Sequence, residues 1–372
     1  MVETPEPDRL LDRLGGRLDG RLHSPLAVLD PGWPAALRRR ALDELRAAVR
    51  DGRVDDDHLV LFTSGSSGRP KGVVRTVESW RASLAPLTRL TGATSRDTVW
   101  LPLPLTSGLS LYGGVHARSV GARVRIAPAT QGVPPDATIA HVVPTVVPQI
   151  CEAVEAGRSR LRTVVVAGAA LGAVPRERAQ QCGLDLVEYY GAAELSFVGW
   201  RRGDGPLHDF PGAEVRVADD LLWVRSPYVC RGYLDPETRG PLRTDGDWRS
   251  VGDRGRVDGD GWRVLGRGDA AVTTGGHTVV AEELEAAIGA LAGVRDVAVV
   301  GRPHDHLGQV VTAVVVVDDG VSRAELALGL RHLPAWSRPV RWLRAGALPH
   351  TATGKLARAE LAASLETLQP LS

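Results

Sequence analysis

Five short runs of almost uninterrupted Val, Ile and Leu, separated by stretches with helical spacing, restrict this chain more than any other feature. They are Leu59–Phe62, Thr98–Leu101, Arg123–Ile126, Thr138–Val143 and Arg162–Ala167. Runs of this length and composition suit parallel strands covered by helices on both faces, because a sheet with one wet face needs polar residues at every second position. Before them, Trp33 to Arg50 places Leu37, Leu42, Leu45 and Val49 at helical spacing. From about 205 to 265 the segments shorten and turn pairs multiply, as in Asp245-Gly246-Asp247 and Asp258-Gly259-Asp260-Gly261. That pattern predicts antiparallel strands in a small barrel or meander. Past Gly266-Arg267-Gly268-Asp269 it changes again: a helix over Ala281–Leu291, strands over Val294–Val300 and Gln309–Val317, a helix over Ser322–His332, a strand over Val340–Leu343 and a last helix over Ala357–Leu368. The expected fold is α/β: a large N-terminal domain (1–266) of mixed and parallel sheets flanked by helices, with a small barrel-like part, and a small C-terminal α+β domain (270–372).

Bulk properties recommend neither nucleic acid nor a membrane as a partner. A net charge of +1 over 372 residues gives no general attraction to nucleic acid or anionic membranes. The start, Met1-Val2-Glu3-Thr4-Pro5-Glu6-Pro7-Asp8, lacks a basic, then apolar, secretory pattern, and Val310–Val317 is too short to span a bilayer. Three widely spaced cysteines, Cys151, Cys182 and Cys230, form neither a disulfide framework nor a zinc knuckle, so a cytoplasmic location is expected. Of 45 basic side chains only two are lysines, Lys71 and Lys355. In a chain that otherwise uses Arg as its generic cation, each surviving lysine points to a need for a compact ammonium on a flexible stem.

One of them closes the strongest local motif, Leu61-Phe62-Thr63-Ser64-Gly65-Ser66-Ser67-Gly68-Arg69-Pro70-Lys71-Gly72. An apolar strand enters a loop of glycines and hydroxyls and then meets a lysine. Glycines let backbone N–H groups close on an anion, hydroxyls add donors, and the lysine adds a mobile charge for phosphate oxygens. It is not a Walker A loop, which requires Gly-x-x-x-x-Gly-Lys-Ser/Thr, nor a nucleophile elbow, which requires glycine two residues before and two after the serine.

The loop resembles the signature of the acyl-adenylate-forming (AMP-binding) superfamily of acyl-CoA synthetases, adenylation domains and luciferases, and further motifs follow in order. Gly168-Ala169-Ala170-Leu171 resembles the turn that flanks adenine, Tyr189-Tyr190-Gly191-Ala192-Ala193-Glu194 the aromatic-Gly-x-Thr-Glu motif, and Ser250-Val251-Gly252-Asp253 the Thr-Gly-Asp motif. Gly266-Arg267-Gly268-Asp269 resembles the hinge, and Leu348-Pro349-His350-Thr351-Ala352-Thr353-Gly354-Lys355 the C-terminal lysine loop. The resemblance runs from about 58 to 360.

It implies ATP-dependent activation of a small carboxylic acid as acyl-AMP, with release of pyrophosphate, then transfer to a thiol such as coenzyme A. ATP and Mg²⁺ are the implied cofactors, and CoA is the co-substrate. On this resemblance Thr63, Ser64, Gly65, Ser66, Ser67, Gly68 and Lys71 hold phosphates, and Gly168, Ala169, Ala170, Tyr189, Tyr190, Gly191, Ala192 and Ala193 surround the base. Asp253 accepts the ribose hydroxyls, Arg267 donates to ribose or phosphate, and Glu194 holds Mg²⁺. Lys355 stabilises charge as pyrophosphate leaves. Thr106, Ser107 and Gly108 belong to the acid pocket. A hinge at 267–269, centred on Asp269, alternates the domains and brings Gly275 and Gly276 to the thiol channel.

Four departures mark this chain. The usual first N-terminal subdomain is lacking, as in the compact form found among o-succinylbenzoate-CoA ligases, whose start is similar to Leu29-Asp30-Pro31-Gly32-Trp33-Pro34. Ala193 replaces Thr or Ser, Leu103–Gly108 lacks the aromatic or His before its glycine, and Ala270-Ala271-Val272-Thr273 lacks the customary Lys. No acidic residue near Thr106–Leu111 awaits an α-ammonium. His116 and Arg118 are candidates to meet a second carboxylate, as an o-succinylbenzoate ligase requires. A metal hydrolase built on His304-Asp305-His306, a non-catalytic nucleotide-binding module, and transfer to a carrier protein or amine are the rival readings; the oligomeric state is left open.

Overall fold

The computed structural model describes residues 7–20, 26–63, 71–168, 171, 173–238, 240–266, 271–349, 361 and 364–372. Among these, contacts divide the chain into two compact units, one through Leu265 and one from Gly266 onward.

In chain order the first unit contains α1 (Pro7–Leu18), β1 (Leu26–Val28), α2 (Ala35–Arg50), β2 (His58–Thr63), β3 (Lys71–Thr76), α3 (Val77–Thr91), β4 (Thr98–Leu101), α4 (Gly108–Ser119), β5 (Arg123–Ile126), β6 (Ile139–Val142), α5 (Val147–Glu155), β7 (Thr163–Val166), α6 (Ala173–Gln181), β8 (Asp185–Ala192), β9 (Ser196–Arg201) and β10 (His208–Asp209). Then come β11 (Glu214–Ala218), β12 (Leu221–Arg225), β13 (Gly232–Tyr233), β14 (Arg243–Asp245), β15 (Trp248–Ser250), β16 (Arg254–Asp258) and β17 (Gly261–Gly266).

The central sheet has the order β10-β9-β8-β7-β6-β4-β5 and is parallel from β8 to β5. Successive strand residues point to opposite faces, and both faces are covered. Val99, Leu101, Ile139, Val165 and Val187 join a cluster with Leu10, Leu14, Trp80, Leu87, Leu111 and Val115 of α1, α3 and α4. Trp100, Ala140, Val142, Val164, Val166 and Leu186 join another with Ile150 and Cys151 of α5 and Ala179 of α6. Each fully buried Val or Ile contributes about 1.5–3 kcal/mol over exposure, so runs without polar alternation are what a doubly covered sheet requires.

The run at 58–63 is the exception. It lies in a separate four-stranded sheet, β1-β2-β3-β13, parallel to β1 and antiparallel to β3. The phosphate-type loop therefore joins two antiparallel strands, and Lys71 opens a strand opposite Thr63. The short segments from 205 onward form mainly a six-stranded sheet, β14-β15-β12-β16-β17 with β11 on β12.

The second unit holds β18 (Ala271–Thr274), β19 (His277–Val280), α7 (Ala281–Gly289), β20 (Val294–His304), β21 (Gly308–Val317), α8 (Arg323–Gly329), β22 (Arg341–Arg344) and β23 (Gln369–Pro370). Ser322 and Glu325 cap α8 reciprocally. Val311, Ala313 and Val315 face α7 and α8, whereas Val314 faces Leu343, Leu361 and Leu365. Most of the helix expected at 357–368 lies outside the described residues. Its expected end is instead a 3-10 turn, Leu365–Thr367, leading into β23, which pairs with β22.

Candidate active site

The central element is the β8–β9 hairpin. Gly191 is required there: a Cβ at this position would stand 2.0 Å from the Ser196 carbonyl oxygen, where a bulge brings β9 against β8. The hairpin turn carries Glu194, which is 7% exposed. Three contacts fix it. The Cys230 N–H donates to the Glu194 carbonyl at 2.7 Å, the Tyr233 hydroxyl donates to Glu194 Oε1 at 2.8 Å, and the guanidinium of Arg75 donates to the carbonyls of Ala193 and Tyr228. Tyr233 pairs with Val73 two residues beyond Lys71, so β13 links the lysine strand to the glutamate turn. The half-buried Tyr233 phenol is pushed up by desolvation and by the adjacent Glu194 carboxylate, so it stays a donor.

Arg75 is fully buried, and burial pulls its guanidinium down to about 10, offset in part by Cys230 and Glu194. Sequence reading missed this residue. The signal was present: in Lys71-Gly72-Val73-Val74-Arg75-Thr76 an arginine occupies a position that strand alternation buries. Tyr233 gave no signal, because its partner is 39 residues away.

Consecutive strand positions separate the two tyrosines. Tyr189 packs on Phe197 with ring centroids 4.6 Å apart, while Tyr190 meets Trp262 edge-on at 5.6 Å. The Tyr190 hydroxyl donates to Asp253, so these two candidate residues come together and Tyr189 does not join them. Asp253 is 8% exposed and follows Gly252, whose φ of +77° favours glycine and whose N–H donates to Ser250 Oγ at 3.0 Å. Gly168, at φ +89°, ends the turn region described after β7. Ala192 and Ala193 flank the Glu194 turn. Thr106 and Ser107 are half-buried before α4, and Gly108 opens that helix.

In the second unit, Gly275 (φ +53°) and Gly276 (φ +83°) form the two-residue turn of the β18–β19 hairpin, a conformation that favours glycine twice over. His277 stacks on Trp336 at 4.5 Å. Ser64, Gly65, Ser66, Ser67, Gly68, Ala169, Ala170, Arg267, Asp269 and Lys355 lie outside the described residues.

Two further readings, the His116–Arg118 pair and the rival metal site, gain no support from the described residues. His116 and Arg118 do not converge on one ligand. His116 is buried, shares a hydrogen bond with Thr88 Oγ1 at 3.0 Å, and is held down to about 4 by desolvation, hence neutral. Arg118 lies at the surface, donating to Asp8 of α1 at 2.7 Å. His304-Asp305-His306 spans the end of β20 and the exposed turn to β21, and no group of three or more potential metal-ligating side chains occurs among the described residues.

Residues 21–234 match the family described as AMP-binding enzyme, and residues 283–355 match the AMP-binding enzyme C-terminal domain. The chain belongs to the AMP-binding enzyme family. It is 30% identical to a 2-succinylbenzoate–CoA ligase of Listeria monocytogenes serotype 4b (strain F2365), over 95% of this chain and 77% of that protein. It is 27% identical to an uncharacterized acyl–CoA ligase of Bacillus subtilis (strain 168), over 91% of this chain and 76% of that protein. In fold it resembles the o-succinylbenzoate CoA synthetase of Bacillus subtilis, with a TM-score of 0.79, 18% identity, and coverage of 98% of this chain and 93% of that one. The chain is thus an AMP-forming ligase of the acyl–CoA ligase type, which activates a carboxylic acid with ATP. No helix among the described residues is long and apolar enough to cross a membrane.

Proposed function

We propose that the nucleotide end of the acyl-adenylate site is built from β3, the β8–β9 turn and the Ser250–Asp253 segment. The observation that carries this reading is the fixing of the Glu194 turn. Its two backbone carbonyls are pinned by Arg75 and Cys230, and one carboxylate oxygen is occupied by a neutral phenol. A carboxylate held this rigidly is preorganised for charge that arrives with a nucleotide. Glu194 Oε2 has no protein partner among the described residues. One carboxylate oxygen plus phosphate oxygens and waters is how Mg²⁺ is commonly bound, without an all-protein cage, so Glu194 fits as its ligand. When bound, the ion neutralises charge on the polyphosphate.

In this reading Lys71 and the 63–68 loop hold the phosphates. Tyr190 offers a ring face and Asp253 a carboxylate to the nucleoside, the Tyr190–Asp253 hydrogen bond orienting both. The acid's carboxylate attacks the α-phosphorus in line and pyrophosphate departs, with Lys355 compensating the developing negative charge. The coenzyme A thiol then attacks the acyl carbonyl, and AMP leaves. Gly275 and Gly276 give the β18–β19 turn no side chains to obstruct a thiol arm.

The acid we infer is a monocarboxylate with an apolar or aromatic body. Buried polar groups on α4 are neutral: Ser110, Tyr112 and His116. The nearby cation, Arg118, is engaged with Asp8. 2-Succinylbenzoate, the substrate in the name of the Listeria relative, carries a second carboxylate for which this helix provides no buried cation. A pyrophosphate-release screen with ATP and Mg²⁺ across aryl, short, medium and long-chain acids, with 2-succinylbenzoate included, tests both parts. Turnover of monocarboxylic acids with thioester formed only when free CoA is present supports the reading. Selective turnover of 2-succinylbenzoate overturns the inferred acid, and thioester formed on a carrier protein but not on CoA overturns the acceptor.

A further inference from the structure

Next to the candidate nucleotide site lies an ionic network that the site as described does not use. Arg176 of α6 is buried, its side chain 5% exposed, and it spends its whole guanidinium on three partners. Nε and Nη2 fork onto the Glu188 carboxylate at 2.7 and 3.1 Å, Nη2 also donates to the Leu171 carbonyl at 2.6 Å, and Nη1 donates to Asp204 at 2.7 Å. Glu188, its side chain 7% exposed, accepts a further bond from Arg201 at 2.8 Å across the β8–β9 register.

The positions joined are not arbitrary. Leu171 lies in the connection from β7 to α6, and Glu188 lies two residues before Tyr190, on the same face of β8. Burying an arginine and a glutamate here costs desolvation that packed apolar side chains would avoid, while α6 needs no such bond to cover the sheet, since Ala179 already joins that core. A planar fork fixes distance and angle together, which a lysine or an apolar contact cannot do.

Building on the proposed nucleotide site, we propose that Arg176 and Glu188 are positioning residues that set the separation between Leu171 and Tyr190, and thereby the fit of the nucleoside site to the purine base of ATP. They touch no reacting atom. Their effect is on nucleotide affinity and on discrimination between bases, because displacements of about 1 Å at a positioning element are felt strongly at the site.

The test is calorimetric binding of ATP and of GTP to the full chain and to Arg176→Lys, which keeps the charge but not the fork, and Glu188→Gln, which keeps the shape but not the charge. Arg178→Ala, on the same helix as Arg176, removes an exposed ion pair to Glu155 of α5 and is the control. Both network variants should weaken ATP binding by about 10-fold and reduce the preference for ATP over GTP, while the control binds as the parent does. Variants that fold, by circular dichroism and melting, yet keep the parent's affinity and preference overturn the assignment. If the parent itself binds no ATP, the nucleotide site falls and this inference falls with it. Hydrogen exchange on the parent decides the matter if the variants do not fold: ATP should protect the amides of 171–176 and 188–192 together, and protection of one segment alone overturns it.

Discussion

At the scale of single residues, the candidate site separates groups that act on ligand from groups that hold them. Tyr233→Phe removes one hydroxyl and leaves the ring. Loss of a half-buried hydrogen bond to a carboxylate costs about 1.5–3 kcal/mol of stability, and Glu194 loses its only side-chain donor among the described residues. The expected outcome is a melting temperature within a few degrees of the parent, with a several-fold rise in the Mg²⁺ concentration that half-saturates pyrophosphate release. Lys355→Ala belongs to the same scale: adenylate formation should be lost, while thioester formation from supplied acyl-AMP persists. Equal loss of both half-reactions in a stopped assay would count against that role. Most of these residues were legible in the sequence because their chemistry is local. Lys71 follows its loop, Glu194 its Tyr-Gly pair, and Asp253 its glycine. Tyr233 was not legible, since a hydroxyl finds its partner only once β13 has paired with β3.

Among elements, the β8–β9 hairpin carries the most. Gly191→Ala places a methyl 2.0 Å from the Ser196 carbonyl, so the bulge must open. Overpacking of this kind costs about 1–3 kcal/mol, and here it would also move the Glu194 turn. A melting-temperature drop together with weakened ATP binding is expected in calorimetry; lower stability with unaltered binding would mean that the turn tolerates the displacement. Strands β4, β6 and β7 could be read to within a residue or two because burial on both faces erases polar alternation, and β5 was read at its observed bounds although one face is exposed, whereas β8 was not read as a strand. The same signal misplaced Leu59–Phe62. Its run is apolar because Val60 and Phe62 pack with Leu29 and Leu45 of a second core while Leu59 joins the first, and composition does not say which sheet a buried strand joins. Arg75 disappeared into that ambiguity as well.

For the molecule as a whole, acid should act through two buried imidazoles. Burial holds His116 down to about 4 and His141 to about 3, the latter also repelled by His116, against 6.5 for an exposed ring. Both native values lie below the unfolded one, so the unfolded chain binds protons first. Stability from these groups is complete above pH 6.5 and is lost progressively as pH falls toward 4, by several kcal/mol on the order of one unit per 1.4 kcal/mol. Melting followed from pH 8 to pH 4 should show that decline, and His116→Gln should flatten it. A pH-independent melting temperature across this range would contradict the burial of both rings.

The two ε-amines have a consequence for handling the protein. An acyl-adenylate is itself an acylating agent, and guanidinium groups are poor nucleophiles beside amines. A chain with 45 basic side chains yet only Lys71 and Lys355 as lysines therefore exposes few side-chain targets to its own activated intermediate. For the experimenter, labelling at the lysine side chains becomes a two-channel readout: Lys71, half-buried at the start of β3, reports on one compact unit and Lys355 on the other.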